Sequence, residues 1–336
     1  MIINLQIIRA FAAIIVVVFH IAGNGPENIQ GTFVHDVFYN WGAAGVDLFF
    51  VLSGFIMVYT QDQKERRARK FLVGRIIRIV PLYWFVSVAW CTVLVASSPY
   101  FAANSFDFWH ILASLTFVSQ LLGYGDPFIV PGWTLEYEAL FYIVFACSLL
   151  FFKNTYFLIL LSAIALISIT PISSPIVIEF AFGMIAAKAY KFSLVRSCAL
   201  PILLIGLLAF FWGAIFEINS DSENFYRSWH RVIVWGVPSF LIILVAPSIT
   251  QLKWSVLRFL GDASYSIYLC HPIGIFLYKR IFDRIPQLAE FHLLPTFLCF
   301  AFSVTLGCFC YILFEKPVTR KLKEWDHQQS LQRIAG

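Results

Sequence analysis

Apolar residues in this chain do not alternate with polar ones; they gather into long runs separated by short polar breaks. Ten such segments can be marked, at about 3–23, 43–60, 77–97, 133–152, 156–172, 175–190, 199–217, 230–249, 262–281 and 293–314. A run of roughly twenty residues, coiled at about 1.5 Å per residue, crosses a hydrocarbon core about 30 Å thick. The pattern predicts an all-α protein, a polytopic transmembrane helical bundle of about ten spans. The alternating polar-in, apolar-out pattern of a membrane β-barrel is absent. A further apolar stretch, His110 to Gly123, is short and lies between Pro99 and the turn Gly125-Asp126-Pro127. It reads as re-entrant or interfacial, since a true span there would change the side of every later loop.

Composition agrees with the pattern. Of 336 residues, 60% are hydrophobic and only 13% are charged, too little polar surface to cover a soluble domain. The formal charge of +5 calls for no nucleic acid, because the distribution of Lys and Arg explains it. With both termini in the cytoplasm, 19 of these residues fall inside and five outside (Arg227, Arg231, Lys279, Arg280 and Arg284), as the positive-inside rule requires. The acidic loop Glu217 to Glu223 then falls outside. The first apolar run carries no basic leader and contains Arg9, so it is read as a span and not as a cleaved signal. Residues 1–322 form one transmembrane domain, and 323–336 a short polar cytoplasmic tail expected to be loosely ordered. The seven cysteines lie mostly within apolar runs with no metal-ligand spacing, and neither a disulfide framework nor a metal site is expected.

Against this apolar background, ionisable residues stand out, because a charge at the centre of a membrane helix costs at least about 2.5 kcal/mol. Arg9 and His20 are eleven positions apart, about 1,100° of helical rotation, so they share one face about 16 Å apart along the axis. Arg75 and Arg78, at i and i+3 in an apolar segment leading into Pro81-Leu82-Tyr83, present two guanidinium forks suited to phosphate groups. Snorkelling to lipid headgroups is the simpler alternative for that pair. In Pro131-Gly132-Trp133-Thr134-Leu135-Glu136-Tyr137-Glu138, two carboxylates at i and i+2 point about 200° apart, so only one can face a given site. Glu138, deeper in the run, is the costlier and the better functional candidate. Asp47 reads as a carboxylate capping a span entrance. Asp262 and His271, nine apart, fall on opposed faces and make no dyad; His271 reads as a packing or channel-lining residue.

Taken in order, these residues resemble the acyltransferase 3 family of integral membrane acyltransferases. The resemblance is carried by Arg9 and His20, by Gly45-Val46-Asp47-Leu48-Phe49-Phe50-Val51-Leu52-Ser53-Gly54-Phe55, by Arg75-x-x-Arg78, by Trp133-Thr134-Leu135-x-x-Glu138, by Ser264-Tyr265-Ser266-Ile267-Tyr268-Leu269-x-His271 and by Glu315-Lys316-Pro317. Within the family, the chain is similar to the exopolysaccharide O-acetyltransferase branch. Thr134 stands where many relatives have Ser, and Glu136 is an extra carboxylate. The resemblance implies transfer of an acyl group, usually acetyl from cytosolic acetyl-CoA, to a hydroxyl of an envelope polysaccharide or lipid-linked glycan at the bacterial inner membrane. It assigns His20, Glu138 and Arg9 to catalysis and Arg75 and Arg78 to the acyl-CoA phosphates. Acetyl-CoA enters as donor substrate, with no permanently bound cofactor. His20 is expected to take the hydroxyl proton with Glu138 orienting its ring, by direct attack or through an acyl-histidine. A glycan or small-anion transporter, or a non-catalytic membrane subunit of polysaccharide assembly, would use the same buried charges differently.

Overall fold

The computed structural model describes residues 2–24, 39, 41–64, 67–97, 107–152, 155–170, 174–213, 228–282, 284–285 and 293–335. All regular structure among them is helical. The elements are α1 (Ile3–Asn24), α2 (Gly45–Gln63), α3 (Ala68–Ser97), α4 (Phe108–Leu115), α5 (Gly132–Phe151), α6 (Tyr156–Ser168) and α7 (Ile178–Ala189). They continue as α8 (Ala199–Trp212), α9 (Trp229–Val245), α10 (Ser255–Asp262), α11 (Ser264–Phe282) and α12 (Leu294–Cys310). A π turn at Tyr311–Glu315 leads from α12 into α13 (Lys316–Ala335).

A helix stands at each of the ten apolar segments. Among the described residues, five helices are long and apolar enough to cross a membrane, beginning at Ile3, Gly42, Ala68, Gly132 and Leu294, and α6, α8 and α9 are shorter apolar helices. Large apolar side chains such as Leu150, Leu166, Leu208 and Leu313 are more than 60% exposed. On a protein this apolar, such a surface is the one that meets hydrocarbon. The chain is a multi-pass membrane protein.

Two boundaries differ from expectation. Helix α3 begins at Ala68, ahead of residue 77, because Arg69, Lys70 and Leu72 are good helix formers and carry the helix back through the basic stretch. The polar tail is helical to Ala335, as the end of α13, where three glutamines are helix formers and Glu324 pairs with Arg320 ahead of it at i and i+4. The acidic loop Glu217 to Glu223 lies outside the described residues, as do Pro99 and the basic residues Arg66, Lys153 and Arg227. The stretch from His110 to Gly123 does not span. Helix α4 has eight residues, about 12 Å, and begins where the Asp107 carboxylate accepts from the backbone N–H groups of Trp109 and His110. The chain then turns back through Phe117, at φ +62°.

Helices α2 and α7 pack so closely that their backbones nearly touch. A Cβ on Gly54 would collide with the Phe180 carbonyl, and one on Gly183 with the Val51 carbonyl. Small residues at a helix crossing are how membrane helices approach, because dispersion contacts replace the missing hydrophobic drive. Phe50, Phe141 and Phe180 stack beside this crossing, with centroids 4.7 Å and 4.4 Å apart, and join α5 to the pair. Helix α1 runs through the interior, packed against α2, α10, α11 and α12. Its first turn is tied down by Asn4, whose amide donates to the Ala246 carbonyl at 3.0 Å and accepts from Leu252 N–H at 3.0 Å. Polar positions on α1 therefore face protein.

Candidate active site

Beside α1, helices α2, α3, α5 and α11 enclose a cavity of about 730 Å³ of empty space, its mouth included. Arg9, Arg75, Arg78 and Glu138 all line it. The reason is local: i and i+3 on α3 put Arg75 and Arg78 on one face, while Arg9 lies one and a half turns into α1, beyond the loop anchored by Asn4. Three guanidinium groups against one carboxylate give the lining a positive balance. The charges of Arg78, Glu315, Asp262 and Glu138 all act on Arg9, whose Nη1 donates to Gln6 Oε1 at 3.3 Å.

Glu138 is held in place by Ser53 Oγ, which donates at 3.0 Å, and by the Tyr142 hydroxyl. The Tyr142 ring lies 5.9 Å from the Arg75 guanidinium, a cation–π contact that links carboxylate, phenol and cation in one knot. The two carboxylates of the Trp133 motif have separated, as their angular spacing requires. Glu136 turns away from the cavity and accepts from the backbone N–H groups of Ser119 (2.9 Å) and Gln120 (3.0 Å), closing the turn after α4. Thr134 sits where its hydroxyl meets that of Tyr268 at 2.9 Å over the Pro131 carbonyl.

His20 is not with them. It lies farther along α1, outside the cavity lining, with Nδ1 2.9 Å from the Val16 carbonyl and its ring 4.6 Å from that of His271. Among the described residues no hydrogen bond joins it to Glu138, so the expected orienting contact is not made. Tyr268 connects the two regions: it lines the cavity, and its ring centroid is 6.1 Å from that of His271.

Sequence reading missed three features. His271 meets His20 although it belongs to another helix. Glu315, turned inward by the π turn, accepts from Ser266 Oγ at 2.5 Å; both lie in the short motifs quoted above, which was the available signal. Asp47 is no interfacial cap. It is fully buried and ion-paired with Arg231, whose Nη2 and Nε donate to its two oxygens at 2.7 and 3.1 Å. Arg231 was counted among basic residues outside the membrane, yet it too is buried, because the carboxylate compensates its charge. Asp262 and His271 make no hydrogen bond to each other; they stand on different helices, Asp262 at the end of α10 and His271 within α11, and not on opposed faces of one.

A family model described as an acyltransferase domain (Acyl_transf_3) matches residues 2–313, nearly the whole chain. The chain belongs to the acyltransferase 3 family. Among its relatives is the exopolysaccharide production protein ExoZ of Rhizobium meliloti (strain 1021), 31% identical over 309 residues, covering 83% of this chain and 90% of the relative. O-acetyltransferase OatA of Staphylococcus aureus (strain NCTC 8325 / PS 47) is 23% identical over 80% of the chain. The putative peptidoglycan O-acetyltransferase YrhL of Bacillus subtilis (strain 168) is 25% identical over 97%. The match takes in about half the length of OatA (50%) and of YrhL (56%). No solved structure matches significantly. Like its acyltransferase 3 relatives, this membrane protein is an enzyme, an O-acetyltransferase of the exopolysaccharide-related branch.

Proposed function

We propose that the protein transfers an acyl group, acetyl in the first instance, from cytosolic acyl-CoA to a hydroxyl of an envelope polysaccharide or lipid-linked glycan at the bacterial inner membrane, with both termini cytoplasmic. The observation that carries this reading is the convergence of Arg9, Arg75, Arg78 and Glu138 on one cavity inside the bundle. Charge-assisted hydrogen bonds from Arg75 and Arg78 suit the donor's phosphates, and the Glu138–Tyr142 knot sets the direction of Arg75. Arg9 adds positive charge between that grip and the chemistry. The donor's flexible arm then runs beside α1 past Tyr268 towards His20.

A carbonyl oxygen only accepts, so the hydrogen bond to Val16 assigns the His20 proton to Nδ1 and leaves the Nε2 lone pair as base. Nε2 takes the acceptor hydroxyl's proton while the oxygen bonds to the thioester carbonyl carbon. The C–S bond then breaks, and the departing thiolate takes the proton from the imidazolium. Acyl-CoA and an alcohol become an ester and CoA thiol. The test is radiolabelled acetyl-CoA incubated with membranes and the host's envelope glycan. Label should enter the glycan with the wild-type protein and not with His20→Ala at equal protein level. Undiminished labelling by His20→Ala refutes the catalytic role.

A further inference from the structure

We propose that His271 is a positioning partner of His20, the second imidazole of a pair that holds the abstracted proton between two Nε2 atoms during acyl transfer. The inference rests on the acyltransferase reading above and names a residue to which that reading gives no part. Both rings are oriented in the same way. His20 Nδ1 donates to the Val16 carbonyl at 2.9 Å, and His271 Nδ1 donates to the Tyr268 carbonyl at 2.7 Å. Each neutral ring therefore keeps its proton on Nδ1 and presents Nε2 as an acceptor.

The rings are in contact, with centroids 4.6 Å apart and planes at 51°. His271 is fully buried, and its Nε2 has no hydrogen-bond partner. A buried acceptor left unpaired is costly, and a histidine needed only for packing is easily replaced by an apolar residue of similar shape. The orphaned nitrogen has a use once His20 has taken a proton: the imidazolium then has an unoccupied acceptor on the ring packed against it. Usually a carboxylate supports a catalytic imidazole. Here the nearest carboxylate named for catalysis, Glu138, is bound to Ser53 and Tyr142 in the cavity, and no carboxylate among the described residues hydrogen-bonds to either ring. The Val16 carbonyl takes that place at Nδ1, and a second neutral imidazole can accept on the Nε2 side without adding charge to the apolar interior.

The step balances. The hydroxyl O–H breaks and its proton passes to His20 Nε2, where His271 Nε2 accepts a hydrogen bond from it. The ester O–C bond forms, the C–S bond breaks, and the proton returns through His20 to the thiolate. Tyr268 couples this pair to the donor cavity, since its backbone carbonyl fixes His271 while its ring lines the cavity.

The experiment uses full-length protein in lipid nanodiscs, acetyl-CoA as donor and the host's own lipid-linked glycan extract as acceptor. It compares wild type with His20→Ala, His271→Phe and His271→Gln. His271→Phe keeps a ring but no nitrogen, and should lower kcat by about 100-fold with the KM for acetyl-CoA within about twofold of wild type. His271→Gln, whose amide oxygen can accept, should recover part of that loss. Solvent isotope measurements in mixed H2O and D2O should give a curved dependence on deuterium fraction for wild type and a straight one for His271→Phe. Wild-type kcat in His271→Phe, with His20→Ala inactive, overturns the pair and leaves the acyltransferase reading standing. A fall in kcat with the isotope curve unchanged also overturns it, as the mark of a purely structural role. Full activity in His20→Ala overturns the reading beneath both.

Discussion

The buried pair of Asp47 and Arg231 gives a prediction whose magnitude follows from its surroundings. Arg231 is 1% exposed and Asp47 not at all, and a second buried carboxylate, Glu179, acts on the same guanidinium. The glycine at 236 is what lets Glu179 approach, because a Cβ there would meet Glu179 Oε1 at 2.6 Å. Arg231→Met therefore leaves the fully buried Asp47 carboxylate, with Glu179 beside it, without its cation. Loss of one partner of a buried pair costs about 3–5 kcal/mol, and this substitution should reach the upper end of that range or exceed it. Asp47→Asn is different: the amide oxygen still accepts one hydrogen bond from Arg231, and the neighbouring Glu179 carboxyl can take over the counter-charge. Its cost should be nearer that of one weakened buried hydrogen bond, about 1–3 kcal/mol. The assay is equilibrium unfolding of the purified protein in mixed micelles, with both variants followed under the same conditions. Equal losses, or a larger loss in Asp47→Asn, would show that Glu179 does not share the cation and refute the reasoning.

Two further outcomes follow from the cavity and its margins. Arg75→Ala removes a charged donor set worth about 1.5–3 kcal/mol to a bound anion, so the KM for acetyl-CoA should rise about 10- to 150-fold, with a much smaller change in kcat; an unchanged KM in steady-state kinetics would deny Arg75 the phosphates. Glu136→Gln replaces a carboxylate that serves two backbone N–H groups by an amide with one oxygen, which should cost about 1–3 kcal/mol and expose the turn after α4 to limited proteolysis, while the KM for acetyl-CoA stays at its wild-type value.

What could be read from the chain depended on the range of the physics involved. The helices were legible because membrane crossing demands length and apolarity, both local properties of a segment. Arg9, Arg75, Arg78 and Glu138 were legible as a set because a charge in oil is costly wherever it sits, and the cheapest arrangement gathers such groups. Partnership was another matter. Asp47 looked like a cap because its cation lies 184 positions away, at the start of a segment whose charge had been counted on the outer side. His271 looked inert for the same reason, since periodicity relates it only to its own helix α11 and carries no information about α1. Glu138 was given to His20 because both were expensive residues, yet Ser53 and Tyr142, unremarkable in the sequence, hold it elsewhere.

Arg9 and His20 ride on one unbroken helix, so on the proposed mechanism the separation between the last cation of the cavity and the reacting nitrogen is set by a rigid rod and does not breathe with loop motion. That rod works as a caliper for donors. On that reading, a carrier with its phosphates at Arg75 and Arg78 must present its acyl group about 16 Å beyond Arg9 along the axis, a reach that a pantetheine arm has and a compact acyl phosphate lacks. Selection of the donor class thus becomes a matter of length, decided before any bond is made or broken.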